Sequence, residues 1–234
     1  MIAQPLPRRL ANVIAIVAML GPLTSASVFA QSKPRPRPAA ARPPQRGISI
    51  GGYAMVGRLN FTATESFDAI VGSPSGTIFG GGVRVGLPFH SLFVDAGAWR
   101  YRGDGERVFI ANDQIFRLGI PVEIAVTPIE ISAGRQFRVR RVPKLTPYAA
   151  GGLTILNYRE TSAASTSSEE SNDTFTGYHV IGGAEYKVTK WFGLAGEASW
   201  STVPDAIGES GVSAAFNESD LGGITVRVKL TIGR

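Results

Sequence analysis

The run ITVRVKLTI, Ile224 to Ile232, alternates without a break. On a strand, successive side chains point to opposite faces. Ile224, Val226, Val228, Leu230 and Ile232 therefore share one wholly aliphatic face, and Thr225, Arg227, Lys229 and Thr231 share a polar, cationic one. A soluble sandwich or carrier barrel would turn the aliphatic face to a core. A membrane barrel would turn it to lipid and hold the charges in its lumen.

Other segments repeat the pattern. Strands are expected near 48–62, 76–87, 91–103, 120–137, 145–159, 174–188, 191–203 and 220–233, with no sustained helical period. In the second, Phe79, Val83, Val85 and Leu87 oppose Gly80, Gly82, Arg84 and Gly86. In the sixth, Tyr178, Val180, Ala184, Tyr186 and Val188 oppose Gly177, His179, Gly183, Glu185 and Lys187. In the seventh, Phe192, Leu194, Ala198 and Trp200 oppose Gly193, Glu197, Ser199 and Ser201. Bulky residues form one row, while small and ionisable residues form the other. That economy suits lipid outside and a narrow polar lumen, and a soluble carrier shows the reverse.

The connections sort by end. Ala63–Ser75, Asp104–Gly119, Thr161–Asp173 and Pro204–Ser219 are long; Pro88–His90, Arg138–Lys144 and Thr189–Lys190 are short. The Asp104–Gly119 excursion is expected to form a small hairpin of its own around Asn112-Asp113. Strict alternation of long and short, with both ends of the domain on the short side, fits a membrane barrel with long loops outside and short periplasmic turns. The fold class expected is therefore all-β: an eight-stranded antiparallel up-and-down transmembrane β-barrel over residues 48–234.

The residues before it read differently. Arg8 and Arg9 precede an apolar run, Leu10 to Leu20, and small residues ending at Ala30. This is the layout of a cleaved export signal over residues 1–30. Residues 31–47 are Pro- and Arg-rich and are expected to be an extended linker. A sharper reading is a cationic arm touching anionic cell-wall polymer or lipid head groups. The formal charge of +6 comes from here: seven Lys and Arg lie before residue 48 with no acid, leaving seventeen against eighteen acids in the rest. A nearly neutral folded part is no nucleic-acid surface. The absence of Cys excludes a disulfide scaffold and thiol chemistry.

Aromatic residues concentrate near the expected strand ends. Trp99, Tyr101, Tyr158 and Trp200 are expected in a girdle at the long-loop end, and Tyr186, Trp191 and Phe192 in one at the turn end. Pro128 is expected to mark a bulge or edge in the fourth strand, where Val122, Ile124 and Val126 share a row with Glu130 and Ser132. The part of that strand before Pro128 should then project above the membrane.

Together, residues 48–234 resemble the OmpA-like and OmpX-like small outer-membrane barrels of Gram-negative bacteria. The stretches SFDAIVGSPSGTIFGGG, TFTGYHVIGGAEY and FNESDLGGITVRVKLTIGR carry the likeness. It implies location in the bacterial outer membrane, contact with outer-membrane lipid and lipopolysaccharide, delivery by the barrel assembly machinery, and long loops that meet a cell-surface ligand. The chain departs from the pattern at Ile232-Gly233-Arg234, where such barrels commonly end in an aromatic residue.

Charges inside so narrow a barrel must pair with one another. Arg84, Glu130, Glu185, Glu197, Arg227 and Lys229 are expected to form a lumen ion-pair network, with Asp95, His179 and Lys187 as further lumen residues. Glu185 and Glu197 are expected to face each other, with Arg227, Lys229 or Arg84 between them. The network reads as a plug, and alternatively as the gate of a narrow pore for small ions. His179, near Glu185 and Ser199 or Ser201, raises lipid hydrolysis as a further alternative, but a lone inward His is more often a packed residue. No catalytic residues, metal site or cofactor are expected. Gly80-Gly81-Gly82 lacks the Gly-Lys-Ser/Thr of a phosphate loop.

Overall fold

A computed structural model describes residues 47–111, 114–162, 171–208 and 211–233. The expected signal segment, and all of the expected linker except Gly47, lie outside them. Eight strands follow one another: β1 (Ser49–Phe61), β2 (Ser75–Gly86), β3 (Leu92–Ala111), β4 (Gln114–Gln136), β5 (Leu145–Ser162), β6 (Ser171–Lys187), β7 (Phe192–Thr202) and β8 (Gly223–Gly233). Each pairs antiparallel with the next, and β8 returns to β1, closing an up-and-down barrel. Closure leaves no sheet edge, which a strand in hydrocarbon requires.

The alternation of ITVRVKLTI is resolved in favour of lipid. Val226, Val228 and Leu230 stand about half exposed on the outside, as do Val83 and Leu194. Arg227 and Lys229 are fully buried inside. Outward aromatics mark the two ends of this apolar band. Trp200 pairs with Ile224 near one end and Phe192 with Ile232 near the other. Eight residues of strand between those levels span about 27 Å, or roughly 21 Å at barrel tilt, close to a thin hydrocarbon layer.

The interior has two layers, where the sequence suggests one polar lumen. Towards the loop end it is apolar: Met55, Leu59, Ile78, Trp99, Tyr101, Val126 and Leu156 belong to one buried cluster. Towards the turn end it is ionic. A short helix, α1 (Thr64–Val71), caps the apolar layer, with Phe67 stacked on Phe61 at 3.8 Å and edge-on to Tyr101 at 6.2 Å. Gly72 ends the helix in the left-handed region at φ 78°, its N–H bonded to the Asp68 carbonyl. No side chain at Ala63 caps its start. Instead Glu218, from the β7–β8 connection, accepts hydrogen bonds from the backbone N–H of Glu65 (3.0 Å) and Ser66 (2.8 Å) and from the Ser66 hydroxyl (2.5 Å). A carboxylate at a helix N-terminus is favoured by the exposed amides and the dipole, so this contact latches two connections over the barrel mouth. The latch is a tertiary feature, 152 residues apart in sequence for Ser66 and Glu218.

Three expectations need correction. The hairpin expected in the Asp104–Gly119 excursion is present, but not as a separate unit: β3 and β4 themselves run on and pair as far as Ala111 and Gln114, so the alternation of long and short connections is not strict. The register shift lies between Glu106 and Val108, and none falls at Pro128. Parity along β4 is unbroken: Val122, Ile124 and Val126 point inward with Glu130 and Ser132. The change of chemistry there is the boundary between the apolar and ionic layers. Pro128 is fully buried in mid-strand beside Leu156. Finally, Trp99 and Tyr101 are not in the girdle. Both are buried in the lumen, because they share parity with Asp95, and Tyr158 packs against the same cluster. Phe79 and Tyr178 stand outward towards the loop end with Trp200.

Candidate functional site

All eight strands feed one polar layer across the lumen. Register alone makes two of its ion pairs, since Arg84 lies opposite Asp95 and Glu197 opposite Arg227. Arg84 Nε meets Asp95 Oδ2 at 2.8 Å, and Tyr53 donates to Asp95 Oδ1 at 2.6 Å. Arg227 is the hub: its Nε bonds Glu197 Oε1, and its Nη1 crosses to Glu130 Oε2 at 2.9 Å. Glu197 Oε2 takes Lys229 Nζ at 2.8 Å and the Tyr148 hydroxyl at 2.8 Å, with Arg84 Nη2 at 3.9 Å. Trp99 Nε1 donates to Glu130 Oε1 at 2.8 Å.

Three cations thus meet three carboxylates, and the cluster is formally neutral. Burying six charges is tolerable only because every carboxylate is paired and hydrogen-bonded. The cations are also stacked: the Arg84 guanidinium lies 4.4 Å from the Phe93 ring and 4.3 Å from the Tyr148 ring, and Lys229 Nζ lies 4.2 Å from the Tyr53 ring. Inward glycines make the space for these rings. A Cβ on Gly82 would stand 2.5 Å from the Tyr53 hydroxyl, and one on Gly183 would stand 2.8 Å from Tyr148 Cζ. This is the close approach that glycine within a strand signals.

Of the expected network, the structure brings together Arg84, Glu130, Glu197, Arg227 and Lys229, and Asp95 joins them as a full partner. Glu185 does not face Glu197. It lies opposite Ala195, nearer the turn end, and accepts from the Thr231 hydroxyl at 3.2 Å. Lys187 is at the mouth, exposed. His179 is buried and lies opposite Ser201 in the register, but its ring bonds to neither Ser199, Ser201 nor Glu185. Its Nε2 shares a hydrogen bond with Ser132 at 2.7 Å, and its Nδ1 shares one with Thr154 at 2.8 Å. Tyr53, Tyr148 and Trp99 complete the site without having been expected in it. Their signal was parity: Trp99 is two turns of alternation from Asp95, and the aromatic partners of buried charges sit beside inward Gly. Of the expected girdle, Tyr186, Trp191, Phe192 and Trp200 are exposed on the outside.

A closed barrel with an aliphatic exterior and an ion-paired interior defines a class, the transmembrane β-barrels. The chain belongs to the outer membrane protein beta-barrel domain family, which it matches over residues 18–230, and its place is the bacterial outer membrane. Lipid, including lipopolysaccharide, is accordingly what its aliphatic wall faces. The soluble-carrier alternative, which needed the aliphatic rows inside, is overturned. No curated protein matches the chain by sequence at a significant level. Among solved structures, Neisserial surface protein A is similar at 14% identity and a TM-score of 0.50, covering 80% of this chain and 97% of that one. A major outer membrane protein from Thermus thermophilus is similar at 11% identity and 0.51, covering 81% and 100%. The N-terminal β-barrel domain of Pseudomonas aeruginosa OprF is similar at 13% identity and 0.40, covering 78% and 97%. At these identities the likeness is one of fold.

Proposed function

We propose that this protein is a closed barrel, structural in the membrane, whose work is contact at the loop end rather than transport through the lumen. The observation that carries this is the filling of the lumen: the Arg227 hub closes the lower half, the apolar cluster closes the upper half, and α1 lies over it, latched by Glu218. An ion crossing would have to break paired charges and then enter hydrocarbon-like packing, and both steps are costly. The narrow-pore alternative therefore has less support. So does lipid hydrolysis: His179 is 2% exposed and held between two hydroxyls inside the wall, out of reach of a lipid chain.

For surface contact, the support is the end of the β3–β4 hairpin. Beyond Glu106 and Pro121, towards Ala111 and Gln114, these strands pair only with each other among the described residues. Phe109 and Phe116 lie opposite one another on this ribbon, and with Ile115 and Leu118 they are exposed. An apolar patch held on an ordered ribbon is a contact surface in waiting. Planar-bilayer recording of the folded protein should show no conductance steps, and sustained discrete openings would overturn the closed lumen. Separately, cells displaying the protein should adsorb to octyl-coated beads several-fold better than cells displaying Phe109→Ser/Phe116→Ser. Equal retention would remove the ribbon as a contact element. Delivery by the barrel assembly machinery is part of the same reading, and depletion of that machinery should leave the chain unfolded and boiling-insensitive on gels.

A further inference from the structure

The turn end of the barrel differs in charge from the loop end. Among the described residues, the connections there (87–91, 137–144 and 188–191) carry five Lys or Arg and no acid, while 62–74, 203–208 and 211–222 at the other end carry five acids and no Lys or Arg. This basic end is also concave. A cavity of about 860 Å³ opens at the mouth, with Arg84 and Lys229 at its floor. Arg138 and Arg140 line it from the β4–β5 connection, and Lys187 and Lys190 from the β6–β7 hairpin. Glu185 is the single carboxylate among the lining residues.

The two floor cations are already matched by Asp95 and Glu197. The four rim cations are not: Arg138, Arg140, Lys187 and Lys190 have no carboxylate partner among the described residues. Four unmatched cations around a recess with low-dielectric walls focus a positive potential into it, within a screening length of about 8 Å in physiological salt. Two of the four are guanidinium forks, which suit the planar faces of phosphate oxygens, and the lysines supply point charges. The cations come from two separate connections, so an anion that meets them all must carry several charges along its length.

We propose that this vestibule binds a multivalent phosphate-bearing anion. The inference rests on the turn end facing the periplasm, not on whether the lumen conducts. Phosphate can reach the mouth from two sources: a soluble oligophosphate, or the headgroup of an anionic phospholipid in the inner leaflet. Trp191 and Phe192, which line the cavity and are also exposed on the wall, put the mouth at headgroup level.

The test uses the full chain folded in phosphatidylcholine nanodiscs and titrated calorimetrically with tripolyphosphate at roughly 50 and 200 mM salt. Saturable binding is expected, weakening several-fold at the higher salt. Arg138→Gln/Arg140→Gln/Lys187→Gln/Lys190→Gln should weaken it about tenfold or more, whereas Arg107→Gln/Arg117→Gln on the opposite ribbon should leave it within about twofold. Repeating the titration in discs containing phosphatidylglycerol separates the sources. Loss of tripolyphosphate binding there assigns the site to lipid headgroups, and its retention assigns it to soluble anions. Absence of saturable binding in phosphatidylcholine, or unchanged binding by the quadruple variant, or equal loss in the ribbon control, would overturn the proposal. Gel mobility before and after boiling checks folding. If the quadruple variant fails to fold, the arginine pair and the lysine pair are neutralised separately, and unchanged affinity in both overturns it equally.

Discussion

Glu197 is the position at which the lumen is most sensitive to a single atom. Its two oxygens take Arg227 Nε, Lys229 Nζ at 2.8 Å and the Tyr148 hydroxyl at 2.8 Å, with Arg84 at 3.9 Å. Glu197→Gln keeps the volume and one acceptor, but it turns an amide N–H towards a cation and moves the cluster from neutral to +1. Removing one partner of a buried pair costs about 3–5 kcal/mol, because the remaining charge is stranded away from water. That is a large share of a typical folding free energy of about 5–15 kcal/mol. Adding Lys229→Met restores neutrality and leaves an apolar stem against the Tyr53 ring, where Lys229 Nζ now lies 4.2 Å from the centroid. The second change should recover about 2 kcal/mol of the first, a coupling of the size seen for residues in direct contact. Equilibrium urea unfolding in phosphatidylcholine vesicles, followed by tryptophan fluorescence, gives all four corners of the cycle. If Glu197→Gln costs less than about 1 kcal/mol, or if Lys229→Met destabilises the single variant further, then the network is not what holds the lumen together.

Three more outcomes follow from the same geometry. Val228 lies midway along β8 between the Trp200 and Phe192 levels, so Val228→Lys should cost about 2–4 kcal/mol in vesicles, and Ile232→Lys near the interface about 0–1; equal costs would remove the lipid-facing assignment. In single-tryptophan variants, brominated lipid should quench Trp191 and Trp200 strongly and Trp99 little, since Trp99 is 6% exposed and faces the lumen; strong quenching of Trp99 would put it back on the wall. Gly183→Ala should press on the Gly196 carbonyl oxygen, 2.7 Å from the new methyl, and displace the Tyr148 ring, whose Cζ would stand at 2.8 Å. The expected loss is about 1–3 kcal/mol, read as a lower urea midpoint, and an unchanged midpoint would show that strand and ring both have room to move.

The barrel is legible because strand alternation is a local property. A side chain's face follows from its parity, so Ile224 to Ile232 declare an aliphatic and a charged side with no tertiary information, and parity alone turns every residue of the Arg227 hub inward. Parity is also where the reading stops short. Applied onward from Asp95 it sends Trp99 and Tyr101 into the lumen, yet their place near a strand end suggests the interface. Alternation says which face a residue takes, not how far along the barrel axis the lumen stays polar.

Eight strands, their two faces and the sign of what each face carries follow from residue order alone, since these depend on residues adjacent in the chain. Which charge meets which, the apolar upper lumen under its latched helix and the convergence of four rim cations on one cavity arise only when the strands come together. Those depend on the register of strands brought round to close a ring, where Arg227 reaches Glu130 across the lumen and Glu218 reaches Ser66 across the mouth. Nothing in a linear pattern of hydropathy records the distance between such pairs.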